Sequence, residues 1–223
     1  MKSPTALART QDLIDNPLPR CACVLVLDTS SSMDGGPIEA LNAGVSQFIR
    51  EVQTDEIASQ CLELGVVTFG GQAVVQMPLT PVQHLLAMQP LIASGNTPMG
   101  QGAMLALAML EARKREYKRH GVSYYQPWMV LMSDGEPTDA WQGPAQGAHS
   151  LSSAGKLVVL PVGVGKSANL GALGQFSSRP AVALQGLKFR EFFRWLSASM
   201  SRVSVSTPGN GVQLPSKGGW ESI

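Results

Sequence analysis

The apolar run at residues 21–28, CACVLVLD, constrains the fold of this chain more than any other segment. Every residue before the terminal aspartate is apolar, a pattern typical of a β-strand that is buried on both faces. Such a strand belongs in a sheet that carries a layer of structure on each side. The run therefore predicts an α/β fold built around a buried, parallel sheet.

Strand-like and helix-like segments alternate along the rest of the chain, as expected for parallel strands joined by helices. Glycines 70 and 71 form the turn of a predicted β-hairpin, which adds one antiparallel strand. The sequence predicts a doubly wound, Rossmann-like, mostly parallel six-stranded sheet with one antiparallel edge strand and helices on both faces. Its strands are 21–28, the two arms of the hairpin at 62–79, 128–134, 156–164 and the weaker 181–185, with helices at about 37–52, after Thr97 and at about 189–200.

One domain accounts for most of the chain. Residues 1–20 form a polar lead-in, and residues 21–201 carry the alternating pattern without an internal repeat. Residues 202–223 are rich in Gly, Pro and Ser, which predicts an extended or mobile tail. Trp220 is an exception there, because an aromatic side chain in such a tail is expected to dock either onto the domain or onto a partner.

Composition and charge indicate a globular protein that binds neither nucleic acid nor membranes. The formal net charge is +1, and the one basic block, RKREYKR at 113–119, is interpreted as the solvated end of a helix. The N-terminus lacks the apolar stretch of a secretory signal, and the longest apolar run, 104–110, is too short to span a bilayer. A cytoplasmic location is therefore expected. The three cysteines, Cys21, Cys23 and Cys61, are expected in strands as buried apolar residues.

Three polar clusters stand where predicted strands end or a helix begins. They are residues 28–32, DTSSS, residues 96–98, NTP, and residues 133–136, SDGE. Ligands of open α/β sheets bind outside the carboxyl ends of strands, where the strand order reverses. If the first and fourth strands flank that point, the first and third clusters share one crevice, and the helix that begins near Thr97 brings in the second.

The chemistry of these clusters favours a hard divalent cation. Hydroxyl and carboxylate oxygens suit Mg²⁺ first, with Mn²⁺ or Ca²⁺ also possible, and argue against zinc or copper. Alternation in Asp28-x-Ser30-x-Ser32 would present three side chains from one side of a tight loop. Since few carboxylates are present, the ion's charge would be poorly neutralised, and an added carboxylate should bind to it strongly.

The DxSxS of Asp28, Ser30 and Ser32, together with Thr97 and Asp134, resembles the metal-ion-dependent adhesion site of von Willebrand factor A domains. The resemblance covers roughly residues 20–200. It implies that Ser30, Ser32 and Thr97 ligate a metal directly, and that Asp28 and Asp134 act through water or by direct contact. The free coordination position would then take a Glu or Asp carboxylate from a partner protein.

Within that family the chain is similar to bacterial TerY-type proteins linked to tellurite resistance and stress response. The similarity rests on VLDTSSSM, TFGG, SGNTPMGQ, LMSDGEPTD and the terminal VQLP and GW. It implies a protein kinase or a PP2C-type phosphatase as partner.

Alternatives to a binding site remain at this stage. Thr97 before Pro98 is also an ordinary helix N-cap, Asp134-Gly135 is a common turn pair, and Glu136 either tunes the site or faces solvent. The same residues would also suit an Mg²⁺-dependent hydrolase or phosphatase. Since no His or Lys stands near the clusters to transfer protons, a binding module rather than an enzyme is expected.

Overall fold

The computed structural model describes residues 16–217 and 220–222, so residues 1–15 of the lead-in lie outside it. The described strands form one sheet in the order β3-β2-β1-β4-β5-β6-β7. They are β1 (Cys21–Asp28), β2 (Leu62–Gly70), β3 (Gln72–Pro81), β4 (Trp128–Ser133), β5 (Val158–Val164), β6 (Val182–Leu184) and β7 (Glu221–Ser222). The helices are α1 (Gly36–Gln53), α2 (Glu56–Cys61), α3 (Met99–Arg119), α4 (Gln142–Ser153), α5 (Leu170–Gly174) and α6 (Phe189–Ser204).

The sheet confirms the predicted fold class. Strands β2, β1, β4, β5 and β6 pair in parallel, and β3 pairs antiparallel with β2 at one edge. All six predicted strands are present. The described sheet has one strand more, the two-residue β7, which pairs antiparallel with β6 at the other edge. Strand β7 lies in the tail, where the many Gly, Pro and Ser residues form no strand-like pattern, so the sequence did not predict this strand.

Strand β1 separates two apolar layers, as its unbroken apolar sequence predicts. Cys23, Leu25 and Leu27 point to one face and belong to the same buried cluster as residues of α1 and α6. Val24 and Val26 point to the opposite face, into the cluster that includes residues of α3 and α4. Because β1 lies between β2 and β4, the strand order reverses beside it. The fold therefore places a crevice at the carboxyl end of β1.

The basic run 113–119 is helical as expected, but one side of it is buried. Arg113 is 5% exposed, and its guanidinium donates to both carboxylate oxygens of Glu63 at 2.5 and 2.7 Å. Tyr117, one helical turn later, is also buried. Residues four apart share a helix face, so this face of α3 packs on the sheet while Lys118 and Arg119 remain exposed. The interpretation as a wholly solvated helix end was wrong for Arg113 and Tyr117.

The tail packs back onto the domain. Helix α6 runs to Ser204, and beyond it the carbonyl of Pro215 accepts a hydrogen bond from the Trp195 indole at 2.9 Å. Trp220 is 1% exposed, with its ring centroid 5.0 Å from that of Phe192 and 5.3 Å from that of Trp195. Trp220 was expected to dock either onto the domain or onto a partner, and in the structure it docks onto the domain.

The cysteine thiols are all buried and unpaired, as expected for apolar residues. Cys61 was expected in a strand but is the last residue of α2, immediately before β2 begins. Among residues 16–217 and 220–222, none of the helices combines the length and the apolar character needed to cross a membrane.

Candidate metal centre

The carboxyl ends of β1 and β4 bring the first and third polar clusters together. Leu27 pairs with Met132, and Asp28 and Ser133 follow directly as the last residues of their strands. The hydroxyl of Ser133 donates a 2.5 Å hydrogen bond to Oδ2 of Asp28. Asp134 therefore leaves β4 at the same crevice.

The loop after β1 turns its alternate side chains toward that crevice. Oδ1 of Asp28 accepts a hydrogen bond from the Ser30 amide at 2.8 Å, which tightens the loop into a short 3-10 turn, Ser31–Met33. The hydroxyls of Ser30 and Ser32 lie 3.0 Å apart, and Ser32 Oγ donates to Oδ1 of Asp134 at 2.8 Å. Four of the five predicted site residues are thus joined by hydrogen bonds.

Thr97 reaches the same region through backbone contacts. The Ser31 amide donates to the carbonyl of Gly95 at 3.0 Å, and the Ser94 amide donates to the carbonyl of Thr29 at 2.7 Å. These bonds lay the loop that contains Thr97 against the loop after β1. Thr97 itself is 7% exposed, and its amide donates to Oγ1 of Thr138 at 3.1 Å.

Helix α3 begins at Met99, so the prediction that Thr97 is its N-cap was wrong. The carboxylate of Asp139 instead accepts hydrogen bonds from the amides of Gly100 and Gln101 at 3.0 and 2.8 Å. This carboxylate satisfies two of the free amides at the helix start from a distant loop. The capping function that the local sequence assigned to Thr97 therefore belongs to Asp139.

Two glycines that were not assigned to the site allow its loops to approach. A Cβ at Gly70 would lie 2.3 Å from the carbonyl oxygen of Thr29. Gly95 has a φ of +73°, and a Cβ there would lie 2.5 Å from Cα of Gly71. Gly70 was interpreted only as part of a hairpin turn, because its contact with the loop after β1 has no local sequence signal.

Among the residues that the structure describes, the site concentrates negative charge without a cationic partner. Asp28 is 1% exposed and Asp134 is 8% exposed, and none of the ion pairs within the described part of the chain involves either one. Burial raises the pKa of Asp28, hydrogen bonds from Ser133 and Ser30 oppose the rise, and the nearby charge of Asp134 adds to it. Two buried carboxylates among hydroxyl oxygens are a donor set that suits a hard divalent cation.

Glu136 is not part of this arrangement. Its carboxylate is exposed and accepts a hydrogen bond from the Asn169 side chain at 2.7 Å. The same Asn169 caps α5 through the amide of Ala172. Glu136 thus faces solvent, one of the two positions that the sequence left open for it, and helps to hold the loop after β5.

Known proteins are similar to this chain in sequence or in structure. The chain is 28% identical over 204 residues to Uncharacterized protein sll0103 from Synechocystis sp.; the match covers 86% of this chain and 45% of that protein, so the chain spans about half of its relative's length. Among solved structures it resembles the pilus adhesin SpaC from Lactobacillus rhamnosus GG in an open conformation, with a TM-score of 0.66, 14% identity, and coverage of 83% of this chain and 30% of that one.

A second structural relative is proximal thread matrix protein 1 from the mussel byssus, with a zinc-occupied MIDAS motif. Its TM-score is 0.55 at 18% identity, over 82% of this chain and 48% of that chain. At these identities the two structures show a shared fold.

The family model described as von Willebrand factor type A domain matches residues 23–193. That span begins within β1, ends within α6 and contains all five predicted site residues. The chain therefore belongs to the von Willebrand factor type A domain family.

Proposed function

We propose that this domain binds one divalent cation through Asp28, Ser30, Ser32, Thr97 and Asp134, and uses it to hold a carboxylate of a partner protein. The observation that carries the proposal is the position of the Ser32 hydroxyl, which lies 3.0 Å from Ser30 Oγ and 2.8 Å from Asp134 Oδ1. Three oxygen ligands of suitable chemistry thus converge at the crevice where ligands of such sheets bind.

The buried charge gives a reason for a cation to bind there. Asp28 and Asp134 are held close together and out of water, which is costly without a compensating positive charge. When bound, a divalent ion supplies that charge and an open coordination position for an external carboxylate. Mg²⁺ is the first choice for these oxygen ligands, with Mn²⁺ and Ca²⁺ as alternatives; the zinc of the mussel relative belongs to that protein.

The partner that we propose is a protein with an accessible Glu or Asp side chain. The similarity to TerY-type tellurite-resistance proteins suggests a bacterial stress-response assembly with a protein kinase or a PP2C-type phosphatase. That context, like the cytoplasmic location, rests on the sequence alone.

We favour binding over hydrolysis as the activity of this site. Among the described residues, the side chains that hydrogen-bond to Asp28, Ser30, Ser32 and Asp134 are those of the cluster itself and of Ser133. A hydrolase needs a group positioned to transfer a proton. Lys166, in the turn after β5, is exposed to solvent.

Metal binding is tested first, by isothermal titration calorimetry with Mg²⁺ and Mn²⁺. Wild type should bind one ion per chain. Ser30→Ala should weaken binding by about tenfold or more, because loss of a ligand should cost at least as much affinity as loss of an outer-shell partner does. Ser31→Ala is the matched control, because Ser31 is exposed and contacts the neighbouring loop through its amide. Equal affinities of the two variants would contradict the assigned ligands.

Partner capture is tested by pull-down from a bacterial lysate with wild type and Asp28→Ala, each in Mg²⁺ and in EDTA. We expect a protein that only wild type retains and only in Mg²⁺. Capture by wild type that survives EDTA would rule out a metal bridge. If the ion binds but no protein depends on it, hydrolysis of phosphate esters becomes the activity to assay.

A further inference from the structure

A second cleft lies at the opposite end of the sheet from the metal centre. It has a volume of about 1140 Å³ and is lined by Trp128 and Val158, the first residues of β4 and β5. The candidate metal centre lies where β1 and β4 end. The two sites are therefore separated by the length of β4 and share no residue.

Positive charge enters this cleft from three separate parts of the fold. Lys118 comes from the last turn of α3, Lys156 from the connection between α4 and β5, and Arg179 from the connection between α5 and β6. All three are exposed, and no carboxylate within the described residues forms an ion pair with them. Lys114 also lines the cleft, but its ammonium group is paired with Glu111. Three cations are thus available to a ligand.

Apolar side chains also line the cleft, beside the polar residues Glu111, Gln126 and Asn210. Leu151 and Tyr124 contribute from the domain, and Val212 and Leu214 contribute from the returning tail. The tail is held in place because the Arg202 guanidinium donates to the Gln213 carbonyl at 2.9 Å. The Tyr125 hydroxyl also contacts the carbonyls of Ser204 and Ser206, at 2.9 and 2.8 Å. The apolar wall is therefore a built part of the structure.

We propose that this cleft binds an acidic peptide segment of a partner protein, in which Asp or Glu residues alternate with apolar ones. The acidic side chains would meet Lys118, Lys156 and Arg179, and the apolar side chains would pack on the wall formed with the tail. Charge complementarity favours such a ligand and fixes its orientation. This site needs no metal ion, and it goes beyond the function proposed for the metal centre.

The combination of cations with an apolar wall favours a peptide over a compact anion or a nucleic acid. A phosphate group is held by polar donors and would leave the apolar wall uncovered, whereas a peptide has side chains for both the cations and the wall. A nucleic-acid site needs a broad basic surface. Here 17 Lys and Arg residues are balanced by 16 Asp and Glu in the whole chain.

The experiment is a selection of displayed random dodecapeptides on the 223-residue chain in EDTA. The chelator removes divalent cations, so carboxylate-containing peptides cannot be recovered through a metal ion at Asp28. The variant Lys118→Glu/Lys156→Glu/Arg179→Glu is used to remove peptides that bind elsewhere. Recovered peptides are labelled with fluorescein and their Kd is measured by anisotropy at low and high salt.

We expect enrichment of Asp and Glu among apolar residues, and a loss of affinity of about tenfold or more in the triple variant and at high salt. The matched control is Arg115→Glu/Arg119→Glu/Arg190→Glu, which changes the charge equally at exposed residues that do not line the cleft. It should bind as wild type does. Circular dichroism verifies folding, with glutamine replacing glutamate if the charge-reversed protein unfolds.

Failure to recover acidic peptides, or equal affinity of the cleft and control variants, would overturn the proposal. Binding of a fluorescent ATP analogue at the cleft without acidic peptide enrichment would also overturn it in favour of a small anion. None of these outcomes depends on metal binding at Asp28. The proposal for the cleft can therefore be wrong while the proposal for the metal centre is right, and the reverse is also true.

Discussion

At the scale of single residues, the candidate site depends on residue 70 being a glycine, which has no Cβ. The backbone oxygen of Thr29 occupies the space that a Cβ at residue 70 would need, at a separation of 2.3 Å. The obstacle is main chain, which cannot swing aside as a flexible side chain does. Residue 70 therefore controls how closely β2 approaches the loop of Asp28.

We predict that Gly70→Ala lowers the free energy of unfolding by about 1–3 kcal/mol, because a methyl group is forced into a filled space. Metal affinity should fall as well, since the loop after β1 must shift. Gly147→Ala is the control: its Cβ meets nothing within 4 Å in the middle of α4. It should raise stability by roughly 0.5–1 kcal/mol. Urea unfolding measures the stability of the two variants. If Gly70→Ala left the free energy of unfolding unchanged, the loops would not be tightly packed.

The residues that could be predicted are those whose signal is local. Asp28, Ser30 and Ser32 alternate within one loop, so their convergence follows from the sequence pattern. The functions of Ser133, Asp139 and Gly70 were missed, because each is defined by a contact with a residue distant in the chain. Arg113 was misjudged for the same reason, since its partner Glu63 lies 50 residues away.

At the scale of elements, α2 is a short helix whose start depends on one carboxylate. Asp55 accepts hydrogen bonds from the amides of Ile57 and Ala58 at 3.1 and 2.9 Å. Burial would raise the pKa of Asp55, but hydrogen bonds from Ser201 and from these two amides outweigh it and lower the pKa. The charged form is thus favoured in the folded protein, and α2 is linked to α6 through Ser201.

This shift predicts a pH dependence of stability. Because the folded-state pKa of Asp55 is lowered, its contribution is complete above the ordinary carboxyl pKa of about 4 and is lost as the pH falls through the folded value. Asp55→Asn retains a capping side chain but has no charge. Urea unfolding at pH 7 should show wild type more stable than Asp55→Asn, and the difference should shrink toward pH 3. A difference that is constant with pH would contradict this account.

Strands and helices could be predicted where both faces are buried, or where apolar residues recur at regular spacing on one face. The run from Cys21 to Asp28 indicated β1 without ambiguity, and the helical spacing of apolar residues located α1 to within about one residue at each end. Cys61 was assigned to a strand because α2 is too short to show a helical period. The two-residue β7 has no pattern at all, since its place depends on where Trp220 docks.

At the scale of the whole molecule, the tail is part of the core. Trp220 fills a space beside Phe192 and Trp195, and its carbonyl accepts a hydrogen bond from the amide of Gln185 at 2.8 Å. The residue pair Trp195 and Trp220 thus links α6, the tail and the last strands of the sheet. Composition predicted a loose tail because Gly, Pro and Ser are common there. The buried side chain of Trp220 instead anchors the tail to the domain.

We predict that Trp220→Ala lowers the free energy of unfolding by about 3–5 kcal/mol, as for other large buried side chains. Leu86→Ala serves as control, because Leu86 is 86% exposed and should change stability by no more than about 0.5 kcal/mol. Both are measured by urea unfolding, with native gel filtration to confirm a folded starting state. If Trp220→Ala were as stable as Leu86→Ala, the tail would contribute nothing to the folded domain.

The antiparallel strand β3 is the outer strand at one edge of the described sheet, where a further strand could add. Its sequence, QAVVQMPLTP, has no charged residue, and Val74 and Val75 are 44% and 42% exposed. An uncharged outer strand is a template for aggregation through added strands. Pro78 has no amide hydrogen to offer, and the register shift between Leu64 and Val66 disturbs the pairing beside it. Proline and irregular pairing, and not charge repulsion, therefore oppose the addition of a further strand at this edge, and we expect pH and salt to have little effect on that opposition.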